Sequence, residues 1–150
     1  MVSTIRMAEA EDVRAVGDLV QRAYAHYVAR IGRRPAPMDD DYDSRVRAGW
    51  VHVAVQDDQL TGVIVLIARR DHLLIDNVAV DPARQGRGIG RRLMDHAEHV
   101  ARAAGLRDVR LYTNAAMTEN LRLYPRLGYE EVDRRVEHGF DRVFFSKRLD

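Results

Sequence analysis

Leu73-Leu74-Ile75-Asp76-Asn77-Val78-Ala79-Val80-Asp81-Pro82-Ala83-Arg84-Gln85-Gly86-Arg87-Gly88-Ile89-Gly90 is the stretch that decides the fold. From His72 to Val80 the residues are almost continuously apolar, broken by Asp76 and Asn77. That pattern predicts a strand buried on both faces, stopped by Asp81-Pro82. Three alternate glycines follow, and then apolar residues at helical spacing: Leu93, Ala97, Val100 and Ala104. A helix over Gly88–Ala104, closed by Gly105, is expected. The first amides of such a helix have no intrahelical partner and its dipole favours an anion, while glycine lets a phosphate approach the backbone. The turn at Gln85–Gly90 therefore suits a pyrophosphate. A Rossmann turn starting at Gly86 needs glycine where Arg91 stands, and a P-loop needs a Gly-Lys pair that is missing here. The competing explanation is a tight strand-to-helix turn with no ligand; arginines at 84, 87, 91 and 92 weigh against it.

Outward from this stretch the chain reads as one domain over 1–150, with no repeat or linker. Val2–Met7 is an expected strand and Ala8–Arg30 a helix, with Val13, Val16, Val20, Ala23, Tyr24 and Tyr27 on one face. Ile31–Pro37 breaks it, and a short helix is expected over Asp39–Ala48. Trp50–Gln56 and Thr61–Arg69 read as strands around a turn at Asp57-Asp58, with His72–Val80 completing a meander. Arg107–Thr113 is a further strand, Thr118–Leu127 a short helix capped by Thr118 and ended by Gly128, and Tyr129–Glu137 with Arg142–Leu149 a closing hairpin. The order βααβββαβαββ predicts an α/β class with α+β-like layers, a mixed sheet flanked by helices.

Composition excludes several functions. No apolar run approaches the ~20 residues of a membrane helix, and the start lacks the apolar core of a signal peptide. Cysteine is absent, which excludes a disulfide scaffold, a cysteine nucleophile and a thiolate metal site, and fits a cytoplasmic location. A net charge of +1, with no basic stripe carrying interleaved aromatics, argues against nucleic acid and against a membrane surface.

Gln85-Gly86-Arg87-Gly88-Ile89-Gly90 matches the Gln/Arg-x-x-Gly-x-Gly/Ala signature of the GNAT superfamily of N-acetyltransferases, and the chain resembles that family along nearly its whole length. Val78-Ala79-Val80-Asp81-Pro82 is similar to the end of the family's fourth strand. Ile5-Arg6-Met7-Ala8 with Asp12 resembles its start, and Asn120-Leu121-Arg122-Leu123-Tyr124 with Leu127-Gly128-Tyr129 its closing motif. The resemblance implies the GNAT acyl-CoA N-acyltransferase fold, with acetyl-CoA as cosubstrate and no metal. Backbone groups of Val78, Ala79 and Val80 would pair with the pantetheine arm, and amides of Gln85, Gly86, Arg87, Gly88, Ile89 and Gly90 would hold the pyrophosphate. A bulge would splay the fourth and fifth strands around the thioester; none is visible in the sequence.

Acetyl transfer to an amine needs a deprotonated amine, donors for the oxyanion, and a proton for the departing thiolate. A backbone N–H near Val78 is a candidate for the oxyanion. Tyr124 aligns with the family's usual acid, and a phenol of pKa about 10 is protonated at neutral pH. Asn120, one turn earlier, is a candidate pantetheine contact, although the family places its asparagine where this chain has Met117. The base is less defined, because Tyr112 stands where some relatives carry a glutamate. Asp76 is the first candidate, since desolvation in an apolar strand is a usual route to a working base; a structural, hydrogen-bonded carboxylate is the rival explanation. His72 ranks second and a water relay third. His96 and His99 lack an evident third ligand, so a solvated face is favoured over a metal site. The acceptor site is expected from Tyr24, His26, Tyr27 and Met38–Tyr42, with the run Asp39-Asp40-Asp41 read as a helix start rather than an amine trap. The expected partners are a small-molecule or peptidyl amine and, at most, a second copy of the chain. A different acyl donor, a thiol or hydroxyl acceptor, or a non-catalytic acyl-CoA sensor on the same fold are the alternatives.

Overall fold

The computed structural model describes residues 4–150. Strand β1 (Thr4–Met7) covers the described part of the expected first strand, whose Val2 and Ser3 lie outside these residues. The helical segment that follows is divided. A 3-10 turn at Ala10–Asp12 leads into α1 (Val13–Tyr24), and α2 (Tyr27–Ile31) continues it after a tightened link at Ala25 and His26. Tyr24 and Tyr27 both face inward, and tightening toward three residues per turn brings positions i and i+3 into line. The next helix, α3 (Tyr42–Arg47), is shorter than expected because Ala36–Asp39 forms its own 3-10 turn.

Strands β2 (Val51–Gln56), β3 (Gln59–Ala68) and β4 (Leu73–Val80) form the meander. Helix α4 (Ile89–Ala103) crosses back to β5 (Asp108–Asn114). Helix α5 (Thr118–Arg126) precedes the hairpin of β6 (Glu130–Glu137) and β7 (Phe140–Arg148). Among the described residues seven strands form one sheet in the order β1-β2-β3-β4-β5-β7-β6. Only β4 and β5 pair in parallel, the connection that requires a crossover helix.

Both faces of the sheet are covered. Val16, Leu19 and Val20 of α1 with Tyr42 and Val46 of α3 pack on Val51, Val53, Val63 and Val65. Leu93, Met94, Ala97 and Ala101 of α4 with Tyr124 of α5 pack on the other face, against Ile64, Leu66, Ile75, Leu111 and Phe145. Strand β4 changes its facing partway. Leu73 and Ile75 belong to the α4 side, yet beyond them Val78 and Val80 pack on that side while Ala79 turns to α1. The cause is the register: Leu66 opposes Ile75 and Val65 opposes Asn77, so Asp76 is an extra residue. It is a β-bulge, which bends a strand and re-aims its side chains. Parallel pairing with β5 is confined to Leu73–Ile75, so past the bulge the two strands part. The expected burial on both faces is therefore only half met. Leu73, Ile75, Asn77 and Ala79 are buried, whereas Asp76, Val78 and Val80 are partly open because they border a cavity.

Candidate active site

The glycine turn begins at Asp81, whose carboxylate accepts from the amide of Ala83 at 3.0 Å and caps a 3-10 turn at Pro82–Arg84. Gly86 and Gly88 then adopt φ of +80° and +79°, left-handed backbone that side-chain-bearing residues avoid. A Cβ at either would meet no atom within 4 Å, so the space before them is clear. Gly90 differs from both: a Cβ there would lie 3.6 Å from Val80 Cγ2, an ordinary contact, so its backbone does not demand glycine. Gly88 is the N-cap of α4, and the first i→i−4 bond is donated by Arg92 to Gly88 O at 3.1 Å. The amides of Ile89, Gly90 and Arg91 precede that bond and face the open space, a cradle for an anion. Arg84 reaches Gln56 and Gln59 at 3.3 and 3.1 Å, tying the turn to the β2–β3 hairpin.

A cavity of about 710 Å³ runs from this turn along β4 and β5 to the first helices. Asp76, Val78, Ala79, Val80, Gln85, Gly86, Gly88, Ile89, Gly90, Asn120 and Tyr124 all line it; of the residues singled out from sequence, Arg87 does not. His72 also lies outside it, with Nδ1 2.7 Å from Asp71. Tyr24, His26, Tyr27 and Pro35–Pro37 form part of the wall, but Asp39, Asp40 and Asp41 do not. Those three are occupied by Arg34, by Arg45 and by the capping of α3 through Ser44.

Tyr124 is buried, and its hydroxyl forms no hydrogen bond among the described residues. Burial pushes its phenol up to about 12, which leaves it protonated at neutral pH and able to donate. Its backbone is fixed by the end of α5. Gly128, at φ +93°, donates to Pro125 O at 3.1 Å, and Tyr129 donates to Tyr124 O at 3.0 Å. This is a Schellman closure, completed by contact of the Tyr124 and Tyr129 rings 6.1 Å apart. Pro125 is tolerated inside that closing turn. Thr118 is the first helical residue rather than the cap; Met117 holds the cap position without a side-chain bond. Asn120 directs its amide nitrogen to Thr113 Oγ1 at 3.1 Å and to Met117 Sδ at 3.6 Å.

At the other end the walls are side chains. Asp76 accepts from the Tyr112 hydroxyl at 3.0 Å and pairs with Arg45 at 3.5 Å. The Tyr24 hydroxyl lies 2.5 Å from Asn77 Oδ1 and 3.1 Å from Val78 O, and Asn77 Nδ2 donates to Tyr42 at 3.1 Å. These bonds clamp α1 and α3 to the bulge. Glu119 accepts from the Tyr27 hydroxyl at 2.5 Å and from Arg30 at 2.7 Å. Arg142, nine-tenths buried, stands over the Tyr112 ring at 4.4 Å. Sequence reasoning missed Arg142, Arg45, Glu119 and the engaged role of Tyr112. The available signal was an arginine at the same strand parity as Phe140 and Phe144.

His96 is not on a plain solvated face, as expected from sequence. Its Nε2 lies 3.0 Å from Nδ1 of buried His52, and burial holds the His52 imidazole down at about 4. Among the described residues no cluster of three or more His, Cys, Asp or Glu could hold a metal, and no helix is long and apolar enough to cross a membrane.

Comparison with known proteins agrees with this geometry. Residues 15–129 match the family model described as Acetyltransferase (GNAT) family. The chain is 35% identical over 94 residues to mycothiol acetyltransferase of Rhodococcus erythropolis, 61% of this chain but only 28% of that protein. It is 29% identical over 115 residues to the uncharacterized N-acetyltransferase YvbK of Bacillus subtilis, covering 76% and 70% of the two chains. In fold it is similar to the PaiA N-acetyltransferase of Thermoplasma acidophilum in complex with coenzyme A, with TM-score 0.84, 17% identity and coverage of 99% and 100%. A GNAT family acetyltransferase of Elizabethkingia anophelis with acetyl-CoA bound superposes with TM-score 0.75, 21% identity and 98% coverage of both chains. A family model spanning most of the chain, over a sheet that opens beside a glycine cradle, places the protein: it belongs to the Acetyltransferase (GNAT) family.

Proposed function

We propose that the chain, as one domain over 1–150, is an N-acetyltransferase that moves the acetyl group of acetyl-CoA to a primary amine by direct attack. The observation that carries this reading is continuity. One cavity joins an open glycine cradle, the parting of β4 and β5 at the Asp76 bulge, and the Tyr124 phenol. Its size and its anion-cradling end suit a nucleotide-linked thioester, and two fold neighbours carry coenzyme A or acetyl-CoA. Acetyl-CoA supplies the activated acetyl group; no metal takes part in the proposed step.

The residues divide the work. Amides of the Gln85–Gly90 turn bind the pyrophosphate. Backbone groups of Val78, Ala79 and Val80, free of β5 beyond the bulge, run alongside the pantetheine, with the Tyr24 hydroxyl competing for Val78 O. Asn120 adds a contact through whichever amide atoms Thr113 and Met117 leave open. An N–H near Val78 stabilises the oxyanion. Tyr124 protonates the leaving thiolate, a role its burial and its uncommitted hydroxyl both favour. Asp76 takes the proton of the amine directly or through water. The chain acts in the cytoplasm on a small or peptidyl amine rather than on nucleic acid or at a membrane.

The test is Tyr124→Phe, which deletes only the hydroxyl. General acid catalysis is worth about 10²–10⁴-fold, so kcat should fall in that range while acetyl-CoA affinity changes little. Near-wild-type kcat, measured where chemistry limits the rate, would assign the proton to water or another group. Acetyl-CoA binding without transfer to any amine would favour a sensor.

A further inference from the structure

The acceptor end carries opposite charges on the two sides of one aromatic ring. On one side Arg45 is shared between Asp40, at 3.2 Å, and Asp76, at 3.5 Å, so two carboxylates face one cation. On the other side Arg142 shares Glu137 with Arg135, at 3.2 and 3.0 Å. Arg135 is itself shared with Asp133, so the network balances as a whole, and of its four members Arg142 alone lines the cavity, with one guanidinium nitrogen committed to Glu137. The head of Arg142 lies 4.4 Å from the Tyr112 ring centroid and 5.6 Å from that of Phe140, and all three residues line the cavity. The Tyr112 hydroxyl in turn donates to Asp76 at 3.0 Å.

A buried guanidinium stacked on aromatic rings keeps donors in a fixed fork, the geometry that receives a carboxylate bidentately. Glu119, another charged side chain that lines the cavity, is already closed by Tyr27 and Arg30. Of the charged groups that line this end, Asp76 is an anion and Arg142 a cation, one on each side of the Tyr112 phenol, which fits a ligand that carries both signs. We propose that the acceptor is an amino carboxylate: its amine sits beside Asp76 and its free carboxylate, a few bonds away, is held by Arg142. This rests on the acetyltransferase reading and narrows its substrate class. Arg142 sets specificity and takes no part in proton transfer.

The test uses matched pairs, the protein amino acids and their amides, which differ only in the carboxylate. Each pair is titrated into the wild-type protein saturated with CoA and assayed as acetyl acceptors. At least one amino acid should bind, and show kcat/KM, at least tenfold (about 1.4 kcal/mol) more favourably than its amide. In Arg142→Gln that ratio should collapse toward one, and Arg142→Lys, which keeps charge but not the fork, should restore part of it. Amides that bind as well as the acids, no binding of any amino acid, or an unchanged ratio in Arg142→Gln would each overturn the proposal. Acetylation of amines without carboxylate preference sinks this inference alone; failure of CoA to bind sinks the cofactor reading.

Discussion

The two ends of the cavity are built from different materials. The end at Gln85–Gly90 is backbone: left-handed glycines and a helix start whose first amides lie ahead of the intrahelical bonds. The end at Asp76, Tyr112 and Arg142 is side chain, assembled from β4, β5 and β7 with Arg45 of α3 behind it. On the proposed reading the backbone end is a general receptor, indifferent to most substitutions away from its glycines. The side-chain end is set by residues on separate elements that meet through side-chain contacts, Tyr112 donating to Asp76 and Arg142 stacking on Tyr112, so its chemistry depends on which side chains meet there. A family that shares one cosubstrate and differs in acceptors would be expected to divide the site in this way.

That contrast breaks most sharply at Asp76. Asp76→Asn keeps the shape and removes the proposed base, so kcat should drop about 10²-fold or more. Near-wild-type kcat in a folded mutant would pass the role to water, since His72 lies outside the cavity. By the same contrast, Gln85→Ala and Arg87→Ala should shift acetyl-CoA affinity by no more than a fewfold, because their amides, not their side chains, are proposed to bind.

A middle-sized effect concerns the packing that aims the cradle. A Cβ on Gly62 would come within 2.8 Å of Leu93 Cδ1 and 3.0 Å of Ile89 Cγ2, and Ile89 opens α4. Gly62→Ala should therefore cost about 1–3 kcal/mol in denaturant melts and weaken acetyl-CoA binding by moving the helix start. Full affinity with full stability would mean that α4 is not held by this contact.

How much of this was legible follows the same division. Glycine spacing reports backbone conformation directly, so the cradle, α4 and the hairpin ends could be read locally. The Asp57-Asp58 turn, too, takes positive φ at both residues, as a two-residue hairpin requires. Tyr124 was found through its neighbours in the chain. The bulge was not, because Asp76 looks like any polar interruption until its partner strand is known. Arg142 offered only its strand parity with Phe140 and Phe144, because its meaning depends on Tyr112 thirty residues earlier and Asp76 beyond that. The division of Ala8–Arg30 likewise depends on the distant partners of Tyr24 and Tyr27, which are Asn77 and Glu119.

Two smaller effects lie away from the cavity. His52 is held neutral by burial, with its folded pKa near 4 against an ordinary 6.5. A histidine depressed in this way contributes stability that is present above about pH 6.5 and is lost as pH falls toward 4, since the unfolded chain binds the proton more readily. His52→Asn should flatten that slope in melts between pH 7 and pH 4.5; an equally steep loss would point to other groups. The smallest effect is expected at Tyr129, whose buried hydroxyl has no partner among the described residues. Tyr129→Phe should be neutral or stabilising by up to about 1 kcal/mol.

Calorimetric titration of acetyl-CoA into the wild-type protein and Gly88→Val tests the central claim most directly. The mutant puts a branched side chain into the clear space before the α4 amides and into a left-handed position. With the fold checked by circular dichroism, affinity should fall by far more than tenfold, or about 1.4 kcal/mol. Equal binding by the two proteins would show that the pyrophosphate lies elsewhere.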